Sequence, residues 1–224
     1  MAVNPPKGQS RPRRTRSRAP LVRQDEAKDV RDAILAAIEG LLEERSIEQI
    51  PVQEVIEAAG VSRATFYIYF ESKQAAVAAL AVMVVQRIYD DLWQPFILGT
   101  EPPSEALMAD HILASLSLWR RHSAVMLAAA GAWRADPVAF SQWGELWSSF
   151  VADMRDYVER ARANHGAPSD LDAGTLAAML VWFDETVFYQ ALSGATSELC
   201  NDEQVARTLS GIWMRTIYGR APFD

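Results

Sequence analysis

The sequence predicts an all-α protein of about nine helices. Apolar residues recur three or four positions apart through most of the chain, which is the period that places them on one side of a helix. No series of alternating β-branched segments joined by turn residues occurs, so strands are not indicated. Short stretches rich in Gly, Pro, Ser and Asp separate the periodic segments and indicate where each helix should end.

The first 24 residues are predicted to form a disordered basic arm. Residues 1–23 hold seven of the 22 cations and no acid, and they lack an apolar period. The other 201 residues carry 15 cations and 29 acids, a net charge of −14, although the whole chain has only −7. A basic arm on an acidic body is typical of a protein that binds a polyanion at one end, or it is a solvated tail. The arm residues expected at DNA are Arg13, Arg14 and Arg16.

The segment after the arm is predicted to contain three short helices. An apolar stripe from Val30 to Leu42 defines the first helix. The second begins near Pro51, a residue that suits a first helical turn, and ends at Gly60, which permits a sharp change of direction. Ser62 is a suitable N-cap for the third helix, which should end near Phe70.

The chain is therefore divided into a domain at 25–71 and a larger domain at 72–224, assigned to ligand binding and dimerisation. The second domain should be helical throughout, with breaks at stretches such as "GTEPPS", where Ser104 should cap the next helix, and "NHGAPSD". Its helices are predicted at 72–98, 104–121, 123–133, 137–164, 171–193 and 203–219.

The three short helices, with Gly between the second and the third, are typical of a helix-turn-helix. In that motif the third helix lies in the major groove, and its first residues reach base edges. Arg63 can donate two parallel hydrogen bonds to guanine, while nearby hydroxyls and the ammonium of Lys73 suit phosphate oxygens. Phe66 and Phe70 lie four apart and should face inward. The predicted DNA-binding residues are Ser62, Arg63, Thr65, Tyr67, Tyr69 and Lys73.

The stretch "VSRATFYIYFESK" resembles the N-terminal signature of the TetR family of bacterial transcriptional regulators, and the likeness extends over residues 34–80. One departure is Pro51, where the family usually has a Ser or Thr cap. The segments "GELWSSF", "DETVFYQALSG" and "IWMRTIYG" resemble a mycobacterial subgroup of that family, the repressors of the ethionamide-activating monooxygenase. The resemblance implies a dimeric repressor with a long, mainly apolar pocket.

All seven tryptophans follow residue 92, in the predicted ligand domain. Flat aromatic rings often form the walls of ligand pockets, although any one of them can equally be ordinary core or interface packing. The resemblance singles out four pocket residues, and spacing adds Phe150 and Phe188. The predicted ligand-binding residues are Trp147, Phe150, Asp184, Phe188, Tyr189 and Trp213. Asp184 and Glu185 interrupt an apolar helix, where they could contact a ligand, face solvent or pair across subunits.

The last two predicted helices are apolar on more than one side, which indicates a partner. In the resembling family these helices form a four-helix bundle across a two-fold axis, so the chain is expected to be a homodimer. Such a dimer would place two recognition helices on a pseudo-palindromic operator. A small apolar effector would favour a conformation whose recognition helices no longer match the operator, provided that it binds the two states unequally.

Other functional classes are less consistent with the sequence. His111, His122 and His165 have no metal-ligand spacing, Cys200 has no neighbouring base, and no Gly-rich phosphate loop occurs, so neither an enzyme, a cofactor nor a bound metal is expected. The longest apolar run is too short to span a bilayer and no signal peptide is indicated, so a cytoplasmic protein without a membrane partner is expected. The alternative is a helical small-molecule-binding or interaction protein that does not bind specific DNA.

Overall fold

A computed structural model describes residues 19–135, 137–167 and 170–219. The described part of the chain is helical and contains no strand, as the sequence predicts. Short 3₁₀ turns at Ile47–Gln49 and Ser197–Leu199 separate some of the helices. The nine α-helices are α1 (Ala19–Leu42), α2 (Val52–Ala59), α3 (Arg63–Tyr69), α4 (Lys73–Ile97), α5 (Glu105–Arg121), α6 (Ser123–Ala135), α7 (Pro137–His165), α8 (Ala173–Ser193) and α9 (Asp202–Tyr218).

The first helix begins earlier than predicted. α1 starts at Ala19, so residues 19–24, which were assigned to the disordered arm, are helical. Pro20 occupies the first turn, where a missing N–H breaks no helical hydrogen bond, and therefore does not prevent the helix from starting there. The rest of the arm, including Arg13, Arg14 and Arg16, lies outside the described residues.

The turn between α2 and α3 has the geometry that the sequence predicts. Gly60 adopts φ 65° and ψ 28° at the end of α2, a left-handed conformation that glycine adopts without strain. Pro51 is the N-cap of α2 rather than part of its first turn, and its carbonyl accepts the N–H of Glu54 at 3.1 Å. The family's usual cap is thus replaced by a residue whose fixed φ, here −66°, suits the position without a side-chain hydrogen bond.

Several other helix starts are capped by side chains that accept the N–H three residues later, an arrangement that stabilises a helix end by about 1 kcal/mol. The sequence predicts two of these caps, at Ser62 and Ser104, and the structure confirms both. The full set of side-chain caps is Ser62, Ser72, Ser104, Asp172 and Asn201.

The long helix α4 changes its winding near its end. It is α-helical over Lys73–Ile88, π-helical over Tyr89–Trp93 and α-helical again over Gln94–Ile97. The N–H of Gln94 donates to the carbonyl of Tyr89, five residues earlier. Pro95 follows directly and has no N–H for the ordinary bond to residue 91, which accounts for the local change in pitch.

One hydrophobic core extends from α1 to α9 and crosses the predicted domain boundary at residues 71 and 72. α4 packs against α1 on one side and against α6 and α7 on the other, while α5 packs on α9 and α7 on α8. In the described residues no single helix could cross a membrane; the bent pair α3 and α4 meets the length and composition requirement only when counted together.

Candidate DNA-binding surface and ligand cavity

The start of α3 is fixed by two hydroxyls. The Oγ of Ser62 accepts the backbone N–H of Thr65 at 3.0 Å and lies 2.7 Å from the Thr65 hydroxyl. The pair satisfies one otherwise unpaired N–H at the helix start and leaves Ser62 exposed. The start of α3, which would face the base edges, is therefore ordered in the absence of DNA.

The aromatic rings of α3 differ in how deeply they are buried. Phe66 and Phe70 are buried and lie 6.1 Å apart between ring centroids, which confirms that they face inward. Tyr67 is 43% exposed and lies beneath the Arg63 guanidinium, whose central carbon is 5.5 Å from the ring centroid. Such a cation–π contact aligns Arg63 along the exposed side of the helix. Tyr69 is half-buried and packs against the core, so its hydroxyl is less available than that of Tyr67.

Lys73 is placed differently from the prediction. Its ammonium donates to the carbonyl oxygens of Ile47 at 2.6 Å and Ile50 at 2.7 Å, and more weakly to that of Glu48 at 3.4 Å. An ammonium has three donors, so these bonds engage its whole capacity inside the fold. Lys73 therefore joins the start of α4 to the turn before α2, and we assign it a structural role instead of a phosphate contact.

One exposed residue of α3 was not anticipated. Ile68 is 78% exposed, between Tyr67 and Tyr69, on the side of the helix away from the core. Its helical position relative to the buried Phe66 and Phe70 already indicates an outward side chain, so the signal was present in the sequence. An exposed aliphatic group on a groove-reading helix is suited to contact the methyl group of thymine.

A mainly apolar cavity with about 490 Å³ of empty space lies in the second half of the chain. Its walls come from α4, α5, α7, α8 and α9, and the π-helical segment of α4 contributes Tyr89 and Trp93. Four of the seven tryptophans form part of these walls. The lining residues are Val85, Ile88, Tyr89, Trp93, Ile97, Ser115, Trp119, Trp147, Phe150, Met154, Val181, Asp184, Glu185, Phe188 and Trp213.

Five of the six predicted ligand-binding residues line this cavity: Trp147, Phe150, Asp184, Phe188 and Trp213. The exception is Tyr189, which is half-buried but absent from the cavity wall. Tyr189 follows Phe188 by one residue and is therefore rotated by about 100° around the helix axis. The walls supplied by α4 and α5 were not predicted, because the helical pattern does not indicate which side of either helix faces the cavity.

The other three tryptophans have structural positions. Trp133 and Trp143 stack with ring centroids 3.7 Å apart, and Trp143 in turn meets Trp147 edge-on at 5.5 Å. Trp182 is 42% exposed and lies 5.8 Å from Trp147. Ordinary packing thus accounts for part of the tryptophan content, and the cavity accounts for the rest.

Asp184 is the most unusual polar group in the cavity wall. The residue is only 7% exposed, and its Oδ1 accepts the indole N–H of Trp213 at 3.1 Å. Its Oδ2 is buried without a hydrogen-bond partner among the described residues. Burial raises the pKa of Asp184 to about 7, because the charged form loses its hydration. The position excludes the interpretation of Asp184 as a solvent-facing acid.

Among the other polar groups at the cavity, the buried indole N–H of Trp147 also has no hydrogen-bond partner among the described residues, whereas Ser115 and Tyr89 are paired. The hydroxyl of Ser115 accepts the indole N–H of Trp93 at 3.1 Å. The hydroxyl of Tyr89 donates to Asp153, while its ring stacks on Phe150 with centroids 3.9 Å apart. Burial raises the pKa of Tyr89 and that of Glu185, because the charged form of each group loses hydration.

Comparison with known proteins identifies the family. Residues 34–80 match the family model described as bacterial regulatory proteins, tetR family, and residues 108–219 match that of the C-terminal domain of the transcriptional regulator EthR. The chain belongs to the TetR family. Its relatives include the HTH-type transcriptional regulator EthR of Mycobacterium tuberculosis, which is 32% identical over 84% of this chain and 86% of that protein. EthR of Mycolicibacterium smegmatis is 28% identical over 85% and 87%.

Solved structures of TetR-family regulators have the same fold. A putative TetR-family regulator from Rhodococcus sp. aligns with a TM-score of 0.62 at 18% identity, over 85% of this chain and 99% of that one. GusR of Salmonella enterica aligns with a TM-score of 0.60 at 17% identity, over 84% and 95%. This TetR-family chain is thus a ligand-responsive DNA-binding transcriptional regulator, and the alternative of a helical carrier without DNA binding is set aside.

Proposed function

We propose that this regulator is a repressor that binds its operator as a homodimer in the cytoplasm and leaves the operator when a small, mainly apolar molecule fills the cavity. The observation that carries the proposal is the course of α4. Lys73, at its start, holds the turn that precedes the helix-turn-helix, and Val85 to Ile97, towards its end, line the cavity. A helix of this length extends over about 37 Å, so a displacement of the cavity end of α4 also displaces its DNA-binding end.

The DNA contacts are assigned to the exposed side of α3. Arg63 is proposed to read a guanine edge, with Ile68 beside it against a thymine methyl. The hydroxyls of Ser62, Thr65 and Tyr67 are proposed to bind phosphate oxygens. Tyr69 is proposed to make a weaker contact of the same kind, because it is half-buried. The arm residues Arg13, Arg14 and Arg16 are proposed to add contacts that do not depend on sequence.

The subunit interface is assigned mainly to α8. Met179, Trp182 and Phe183 are exposed large apolar residues three and four positions apart, so they form one stripe along the helix. The exposed side of α9 is polar instead, with Gln204, Arg207, Thr208 and Arg215. The apolar side of α9, which indicated a partner in the sequence, packs on α5 within the same chain.

The test is a fluorescence-anisotropy titration of a labelled DNA fragment from upstream of the gene. The wild type should bind at nanomolar concentration, and Arg63→Ala should lose about 1–3 kcal/mol of binding free energy and relax the preference at one base pair. Arg155→Ala, an exposed arginine on α7, is the matched control and should bind as the wild type does. Equal affinity of Arg63→Ala and the control would overturn the assignment of Arg63.

A further inference from the structure

The cavity is acidic as well as aromatic. Asp184 and Glu185 are its two carboxyl groups, and no Lys, Arg or His belongs to the described residues that line it. His111, which touches Trp93 edge-on at 4.8 Å, is uncharged at neutral pH because burial lowers its pKa to about 4. His111 and the described lining residues therefore provide no positive charge to balance a carboxylate.

One carboxylate oxygen is left for a ligand. The Trp213 indole fixes Oδ1 of Asp184, and Oδ2 remains buried in the wall without a partner. A buried polar atom without a hydrogen bond lowers stability, a cost that a ligand donor would remove. A ligand that only filled the apolar space would leave this cost in place.

The rest of the wall also favours positive charge. Aromatic rings attract cations over their faces, and the attraction increases where water is excluded. Seven aromatic side chains contribute to the wall: Tyr89, Trp93, Trp119, Trp147, Phe150, Phe188 and Trp213. Apolar surface, aromatic faces and an unpartnered acid together match an amphiphilic cation better than a neutral lipid.

We propose that the effector of this regulator is an apolar cation, with an ammonium or similar group that donates to Oδ2 of Asp184 and an apolar body packed on the aromatic wall. The proposal deepens the proposed function, because it names the chemical class that the cavity recognises.

The ionisation of Asp184 should make cation binding depend on pH. Asp184 is about half protonated near neutral pH, since its pKa is raised to about 7, and a bound cation requires its ionised form. The titratable groups that line the cavity with it are Glu185 on the same helix and Tyr89 on α4. Affinity for a cation should therefore rise about tenfold from pH 6 to pH 8. A neutral ligand bound by the protonated acid would show the opposite trend.

The test is isothermal titration calorimetry of the full chain with three probes that share one alkyl chain: decylammonium, 1-decanol and decanoate. We expect decylammonium to bind at least about tenfold more tightly than 1-decanol at pH 7.5, with decanoate the weakest. Asp184→Asn should remove this preference, because its amide keeps an oxygen for Trp213 but carries no charge. Asp156→Asn, an exposed acid on α7, is the matched control and should keep the preference.

Each outcome decides the proposal. A preference for 1-decanol or decanoate, no binding of any probe, or an Asp184→Asn variant that folds with an unchanged melting temperature and still prefers the cation would overturn it. The DNA titration, repeated with decylammonium, separates the two proposals. If the cation binds as expected but leaves operator affinity unchanged, the release mechanism fails while the assignment of the ligand class stands.

Discussion

Two basic residues near the recognition helix have different roles, although they look equivalent in the sequence. Arg63 lies on the exposed side of α3 over the Tyr67 ring, whereas the ammonium of Lys73 is engaged by carbonyls 23 to 26 positions earlier. A helical pattern can place a side chain on one face of its own helix. It does not reveal that a distant turn presents unpaired carbonyl oxygens to that side chain.

Lys73→Met tests the structural role of this residue. The substitution keeps the aliphatic stem but removes hydrogen bonds to two well-placed carbonyls, so the free energy of unfolding should fall by about 1–3 kcal/mol. Urea denaturation followed by circular dichroism measures the change, and Lys28→Met, an exposed lysine of α1, is the control. Unchanged stability together with weaker operator binding and a smaller salt slope would instead favour the original phosphate contact.

The predicted cavity residues also differ in whether the structure places them at the cavity. Asp184 was selected through the resemblance, because the helical pattern alone left a ligand contact, a solvent-facing acid and a pair across subunits open, and its burial excludes the solvent-facing position. Tyr189 was selected through the same resemblance but lies off the cavity wall. Whether a residue faces the cavity depends on the rotation of α8 against α4 and α7, which a one-dimensional pattern does not specify.

At the scale of the elements, local chemistry determined most of the helix limits. Side-chain caps and left-handed glycines act through residues within one turn, so positions such as Ser62, Ser104 and Gly60 could be assigned from the sequence. The π-helical segment Tyr89–Trp93 could not, because Pro95 is compatible with a kink, a break or a change in pitch. In the structure the pitch changes, and Tyr89 and Trp93 of this segment pack around the cavity.

The turn between α2 and α3 offers a prediction at this scale. Gly60→Ala should reduce the free energy of unfolding by about 1 kcal/mol, because a Cβ disfavours the left-handed conformation at φ 65°. Apart from Gly60 and its two chain neighbours, no described residue has a heavy atom within 4 Å of the position that this Cβ would occupy, so the effect is conformational and not steric crowding.

Gly40→Ala is the matched control for this change. Gly40 lies inside α1, is exposed, and also has open space around the added Cβ. The alanine should stabilise the protein by up to about 1 kcal/mol, since glycine is a poor helix former. Denaturation curves of the two variants should therefore move in opposite directions, and a shift in the same direction would contradict the conformational explanation.

At the scale of the whole molecule, the cavity and the recognition helix belong to one continuous core. Phe66 anchors α3 to that core, and Trp213 closes the cavity at the other end of the same cluster. Because packed cores shift between discrete arrangements instead of deforming smoothly, a ligand that repacks the wall around α4 can reposition α3 without touching it. The proposed response also requires a second subunit, since one subunit has no spacing between recognition helices to alter.

The exposed stripe of α8 gives the prediction for that assembly. Phe183→Glu introduces a charge into the stripe with Met179 and Trp182, and burial of an unpaired carboxylate between subunits is strongly unfavourable. We expect the variant to sediment as a monomer at micromolar concentration, where the wild type sediments as a dimer. Its affinity for a full operator should fall at least about tenfold, because the two half-sites, about 34–36 Å apart, are no longer bound by one linked pair.

Phe140→Glu provides the control for this prediction, since Phe140 is an equally large aromatic residue, 66% exposed, on α7. It should remain dimeric and bind the operator as the wild type does, which would separate interface disruption from a general effect of an added surface charge. Circular dichroism of Phe183→Glu should show wild-type helix content, because the side chain is already 42% exposed in one subunit. A Phe183→Glu protein that stays dimeric and keeps full operator affinity would move the interface away from this stripe of α8.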